Sequence, residues 1–191
     1  MSAAAEPTPV SPPPHAIRGL TIQRPWAGAI VHGTKRIENR TWYPAPKLLE
    51  DGGLWLAVHA GAHWDALGAE LCLPRWPEAR DEVMGHEQAG EFPLRDERGW
   101  PAFARAKGIV GVARVEFACP VEDLGVYLRR SHGGTASTLW AAGPVCWVLR
   151  DVRPLPRPIP CRGALGLWEL PPGVLEVVRP WCVPAPRRVP W

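Results

Sequence analysis

The segment Leu20–Trp42, LTIQRPWAGAIVHGTKRIENRTW, constrains the fold more than any other part of the chain. Leu20, Thr21 and Ile22 form a short apolar run that reads as a strand. Gln23 and Arg24 then lead to Pro25, a residue type favoured where a helix begins. Trp26, Ala29 and Ile30 recur at helical spacing, and Gly33 stands where that helix would end, so a helix is expected over about 25–32. The next residues are charged: Lys35, Arg36, Glu38 and Arg40. Strand, short helix and charged strand follow one another with no linker between them. Such a unit presents a polar site on a compact scaffold.

On a second strand over 35–42, alternate residues share a face. Arg36, Glu38, Arg40 and Trp42 are then expected on one side, and Lys35, Ile37 and Asn39 on the other. Three charges and a tryptophan do not make an ordinary core face, because burying unpaired charge costs several kcal/mol per group. Periodicity leaves two readings. The face is a solvated exterior, or it lines a cleft in which Glu38 bridges Arg36 and Arg40.

The 191 residues fit one domain with ragged ends: a tail over 1–16, a domain over 17–171 and a Pro-rich tail over 172–191. The start, MSAAAEPTPVSPPPHAI, lacks a basic segment followed by an apolar one. It therefore reads as a disordered Ala/Pro tail and not as a secretory signal. No stretch reaches the length of a membrane span, so no membrane association is expected. Five widely spaced cysteines without a CxxC argue against a disulfide framework or a zinc knuckle. They fit reduced thiols in a cytoplasmic protein. Net charge is +3, and nineteen of the 22 basic residues are Arg, whose planar fork suits phosphate and stacking. GC-rich coding gives the same bias.

Leu54–His59 is a nearly continuous apolar run, as in a central strand covered on both faces. A helix is expected over 62–73, and short helices with long loops over 74–107. Further strands are expected over 108–117, 145–149 and 166–170, with a helix over 121–129 and an extended Pro-rich piece over 154–160. The tail after Pro171 reads as extended or disordered. Short strands with few helices and no βαβ rhythm indicate an α+β fold built as a small mixed barrel. Trp55, Trp147 and Trp168 fall in the core strands and read as packing residues. His59 and His63 stand four apart, but Gly61 interrupts any helix between them and no third ligand is evident. No metal or cofactor is expected, and His59 reads as polar lining of a cleft rim. Arg129–Gly134 reads as a surface loop.

QRPWAGAIVHGTKRIENRTW also resembles the signature of the ASCH (activating signal cointegrator homology) family. The matching positions are Gln23, Pro25, Trp26, Gly33, Lys35, Glu38 and Arg40. Thr41–Pro44, Leu54–Ala57, Arg157–Gly163 and Leu167–Leu170 resemble later segments of such domains. The resemblance implies a PUA-like fold, a small mixed β-barrel flanked by short helices, with a ligand cleft between the first helix and the charged strand. It implies RNA, another single-stranded nucleic acid or a modified nucleoside as the partner. Gln23, Arg24, Trp26, Lys35, Arg36, Glu38, Arg40, Trp42 and His59 are then the expected contacts. Arg24 beside the helix start would meet phosphate, and Trp26 or Trp42 would stack a base.

One branch of the family resembles an acetylcytidine amidohydrolase that uses Lys, a Thr three residues later and a downstream Glu; other members resemble ribonucleases. Lys35 fits the first position and Glu38 stands in place of the Thr. A hydrolase would therefore rely on Lys35 and Glu38, with Glu116, Glu122 or Asp123 as the further carboxylate. A partner-binding regulatory module is the third reading.

Overall fold

The computed structural model describes residues 16–50, 53–67, 106–132, 138 and 140–184. The first strand, β1 (Ala16–Arg24), begins earlier than its apolar run suggests. Helix α1 (Trp26–Val31) follows Pro25, and β2 (Ile37–Arg40) is confined to the middle of the charged segment. Pro46 opens a single-turn helix, α2 (Pro46–Leu49), which the spacing of residues does not reveal.

β3 (Leu54–Trp64) runs five residues past its expected end. Ala62–Trp64, expected to begin a helix, instead extends this strand; the rest of that expected helix lies largely outside the described residues, as does most of 74–107. Pairing explains the difference, because the extended strand stays paired with β1, across a register shift after Ile22, as far as Arg24↔Trp64. Tertiary partners override local helix preference here.

β4 (Gly108–Pro120) leads through a 3-10 turn (Val121–Asp123) into α3 (Leu124–His132). Ser131 and His132 thus end a helix, where a loop was expected. β5 (Val145–Ile159) takes in the Pro-rich piece, and β6 (Leu167–Trp168) is shorter than the expected strand. The tail after Pro171, expected to be extended or disordered, instead opens with a helix, α4 (Pro172–Val178), and its Val178 is fully buried.

The six strands lie in the order β2-β5-β4-β3-β1-β6. β1 and β3 are parallel, joined by the crossover through α1 and β2, and the other neighbours are antiparallel. β2 and β6 are the edges and do not pair with each other, so the expected barrel is a loose, unclosed one. Register shifts along β4 and β5 add the local twist that curls the sheet. Pro154, Pro156 and Pro158 are tolerated because β2 pairs only with Val145–Val148. The later half of β5 has β4 on one side and no strand on the other.

β3 is buried on both faces. Leu54, Leu56 and Val58 join Ile30 and Val31 of α1 in one core layer. Trp55 and Ala57 join Ile17, Val178 and Cys182 in the opposite layer, beneath α4. A third cluster packs Leu124 and Leu128 of α3 against Ile37, Cys146 and Val148. These layers fix the end of β1, the start of α1 and strand β2 around one opening.

Candidate ligand cleft

That opening is a cleft of about 690 Å³. Its floor carries Lys35, Glu38 and Arg40, and Trp26 and Trp140 contribute aromatic surface. Lys35 Nζ lies 3.1 Å from Glu38 Oε2, and Arg40 Nη2 lies 3.0 Å from Glu38 Oε1. The side chains of Lys35 and Glu38 are only 5% and 7% exposed, against 21% for Arg40. Lys35 also donates to the carbonyl of Ile37, and Arg40 donates to that of Thr21. Glu38 therefore does act as a bridge, but between Lys35 and Arg40, where Arg36 and Arg40 were expected.

The phase of the strand explains the exchange. Residues 35 and 36 precede β2, so strand alternation does not govern them. The main chain turns Lys35 inward. It sends the Arg36 guanidinium to the carbonyls of Ile30, Gly33 and Lys35, at the end of α1. Arg36 is exposed and does not line the cleft. At Gly33 an added Cβ would come within 2.8 Å of the Ala29 carbonyl oxygen, so a side chain there would disturb this turn.

The remaining expected contacts divide. Gln23 and Trp26 line the cleft. Arg24 does not; its guanidinium donates to the carbonyls of Gly61 and Ala62 and lies over the Trp64 ring. Trp42 packs edge-on against Trp147, with centroids 4.8 Å apart, and its carbonyl accepts from the Trp147 indole. It is therefore a core contact. His59 is 5% exposed and lies under the segment Cys161–Gly163, with Nε2 3.1 Å from the Cys161 carbonyl. The segment sits so close that a Cβ on Gly163 would collide with Thr21 Oγ1 and the His59 ring. His59 is thus covered and does not form the rim. Beyond it, Ala164, Leu165 and Gly166 form one lip of the cleft.

Several lining residues carry no signal in the local sequence. Asp65 accepts from the Trp26 indole at 2.8 Å, and Trp26 meets Trp140 edge-on at 6.5 Å. Asn39 holds the wall bearing Trp140. It donates to the Trp140 carbonyl at 2.8 Å and accepts from the amides of Ala142 and Gly143 at 3.0 and 3.1 Å. His63 also lines the cleft. Glu116, Glu122 and Asp123 do not; Glu116 is paired with Arg150. Of the expected surface loop, Arg129 belongs to α3 and Gly133–Gly134 lie outside the described residues. No cluster of three metal-ligating side chains occurs among the described residues.

The family model of the ASCH domain matches residues 20–123. The chain belongs to the ASCH domain family. No curated protein matches this ASCH domain. Among solved structures it is similar to ASCH from Zymomonas mobilis, at 16% identity and a TM-score of 0.44, covering 85% of this chain and 93% of that one. A mutant form of the same Zymomonas mobilis protein gives 16% identity and a TM-score of 0.40, with 85% and 94% covered. No helix among the described residues is long and apolar enough to cross a membrane.

Proposed function

We propose that this ASCH domain binds single-stranded RNA by taking a base into the cleft beside Trp26. The observation that carries this reading is the buried Lys35–Glu38–Arg40 chain opening into a cleft with aromatic walls. Desolvating three charges is unfavourable compared with packing apolar residues of similar size. A site that uses their remaining donors and lone pairs gives them a purpose beyond stability. Trp26 and Trp140 supply ring surface for a base, a contact worth about 1–3 kcal/mol per base. A reducing, cytoplasmic setting belongs to the same proposal; the free thiols Cys119, Cys146, Cys161 and Cys182 fit it.

The test is a fluorescence or gel-shift titration with single-stranded RNA and DNA at low salt. Wild type is expected to bind, and Trp26→Ala to bind at least about tenfold more weakly. Absence of binding to either polymer at low salt would refute the reading.

A hydrolase reading rests on Lys35 and Glu38 sharing the floor. It is tested by incubating wild type and Lys35→Ala with acetylcytidine and short RNA. Equally blank product profiles would remove it for those substrates. A partner-binding role would instead show as a stable protein complex that survives loss of Trp26.

A further inference from the structure

The proposed base-binding role leaves open which base edge the floor can read. The floor presents, in order, Lys35, Glu38 and Arg40. Ammonium and guanidinium groups only donate hydrogen bonds, and an ionised carboxylate only accepts. The floor therefore reads donor–acceptor–donor, with its neighbouring groups 3.1 and 3.0 Å apart. None of the three is saturated by the contacts described. Lys35 spends two of its three donors, on Glu38 and on the Ile37 carbonyl. Each Glu38 oxygen accepts one bond here and has a second lone pair. Arg40 commits Nη2 to Glu38 and to the Thr21 carbonyl, and its Nη1 donors are not used by the contacts described.

Charge narrows the ligand further. The described ionisable groups lining the cleft are Lys35, Arg40, Glu38 and Asp65, with His63 formally neutral. Two cations and two carboxylates cancel. A phosphate inside the cleft would meet Glu38 and Asp65 as well as the cations, so the lining favours an uncharged group.

Resting on the RNA-binding reading, we propose that the cleft selects an uncharged planar ring whose edge reads acceptor–donor–acceptor. This is the cyclic imide edge of uracil, formed by O2, N3–H and O4. Its two carbonyls accept from Lys35 and Arg40, and its N3–H donates to Glu38. The ring lies along the Trp26/Trp140 side of the cleft. Cytosine places an acceptor, N3, opposite Glu38, which repels it. Guanine and adenine offer donors where a carbonyl is needed. Any phosphate of the strand stays outside the cleft.

Calorimetric titration with uridine, N3-methyluridine, cytidine and uridine monophosphate tests this. Each missing or clashing hydrogen bond at a desolvated site reduces affinity by about tenfold or more. Uridine is expected to bind about tenfold tighter than N3-methyluridine and cytidine. Uridine monophosphate should bind no tighter than uridine, with little dependence on salt. Glu38→Gln, which preserves shape but adds an N–H donor able to meet the cytosine N3 acceptor, should erase most of the preference for uridine over cytidine. Equal affinity for uridine and N3-methyluridine would overturn the proposal. So would a tenfold gain from the phosphate accompanied by steep salt dependence.

Homopolymer RNA separates this inference from the one beneath it. If oligo(A), oligo(C) and oligo(U) bind equally, and all depend on Trp26, the RNA-binding reading stands and the imide assignment falls. If no RNA or nucleoside binds, both fall.

Discussion

Two sets of ion pairs on the same sheet are built to opposite ends. Lys35, Glu38 and Arg40 form a chain with almost no exposure at Lys35 and Glu38. On β4 and β5, Arg114 meets Asp151 at 2.7 Å and Arg150 meets Glu116, with Arg150 36% and Glu116 24% exposed. These pairs, all four side chains more exposed than Lys35 and Glu38, are the shorter contacts, yet they matter less energetically. Water screens them and competes for their hydrogen bonds, whereas the buried chain must satisfy its charges internally. Distance alone is therefore a poor guide to what an ion pair does; solvation decides.

The strongest way to break this comparison is to remove Glu38. Glu38→Ala leaves two cations facing one another, one of them buried, and should lower unfolding stability by about 3–5 kcal/mol in a denaturant titration. A loss below about 1 kcal/mol would place the chain in the same class as the surface pairs. Replacing both Lys35 and Glu38 with Met and Leu should have the reverse effect. Stability should be unchanged or raised by about 1–4 kcal/mol, while RNA binding is abolished. Retained binding would contradict the assignment of the floor.

Asn39→Ala severs the three bonds that hold Trp140–Gly143. It should cost about 1–3 kcal/mol and weaken binding, and hydrogen exchange should show faster exchange at the Ala142 and Gly143 amides. Glu116→Ala should cost less than about 1 kcal/mol and leave binding intact.

A pH experiment probes the far face. Burial pushes the Cys182 thiol up to about 12, against the smaller lowering influence of Arg153 and Arg179. Since the folded value is the higher one, its contribution is fully present below pH 9, where the unfolded thiol stays protonated. It is lost as pH rises from 9 toward 12. The alkaline slope of stability should therefore be shallower in Cys182→Ala than in wild type. Identical slopes would show that this thiol does not contribute.

Much of the fold is legible where local pattern and tertiary demand agree. The unbroken apolar run at Leu54–His59 is the strand buried on both faces, and Trp26 through Val31 is the helix its spacing indicates. The floor is legible in composition but not in arrangement. Alternation fails for Lys35 and Arg36 because β2 starts only at Ile37. Trp42 and His59 are misjudged because their neighbours, Trp147 and Cys161, come from distant sequence. Asp65 and Trp140 are not legible as cleft residues at all. Nothing near either in the chain signals its approach to Trp26, and only the tertiary fold brings them there.

The family match ends at residue 123, and β5 begins at Val145. β5 is the strand that pairs with β2, through Glu38↔Trp147 and Arg40↔Val145. A fragment stopping at 123 would keep every signature residue, yet Glu38 and Arg40 would sit on a strand with nothing to hold it. Asn39 and Trp140, 101 positions apart, help to close this circuit. Their contact carries an entropic cost that only the whole sheet can offset. The proposed ligand binding thus depends on long-range strand pairing: the signature supplies the groups, and a strand outside it brings them together.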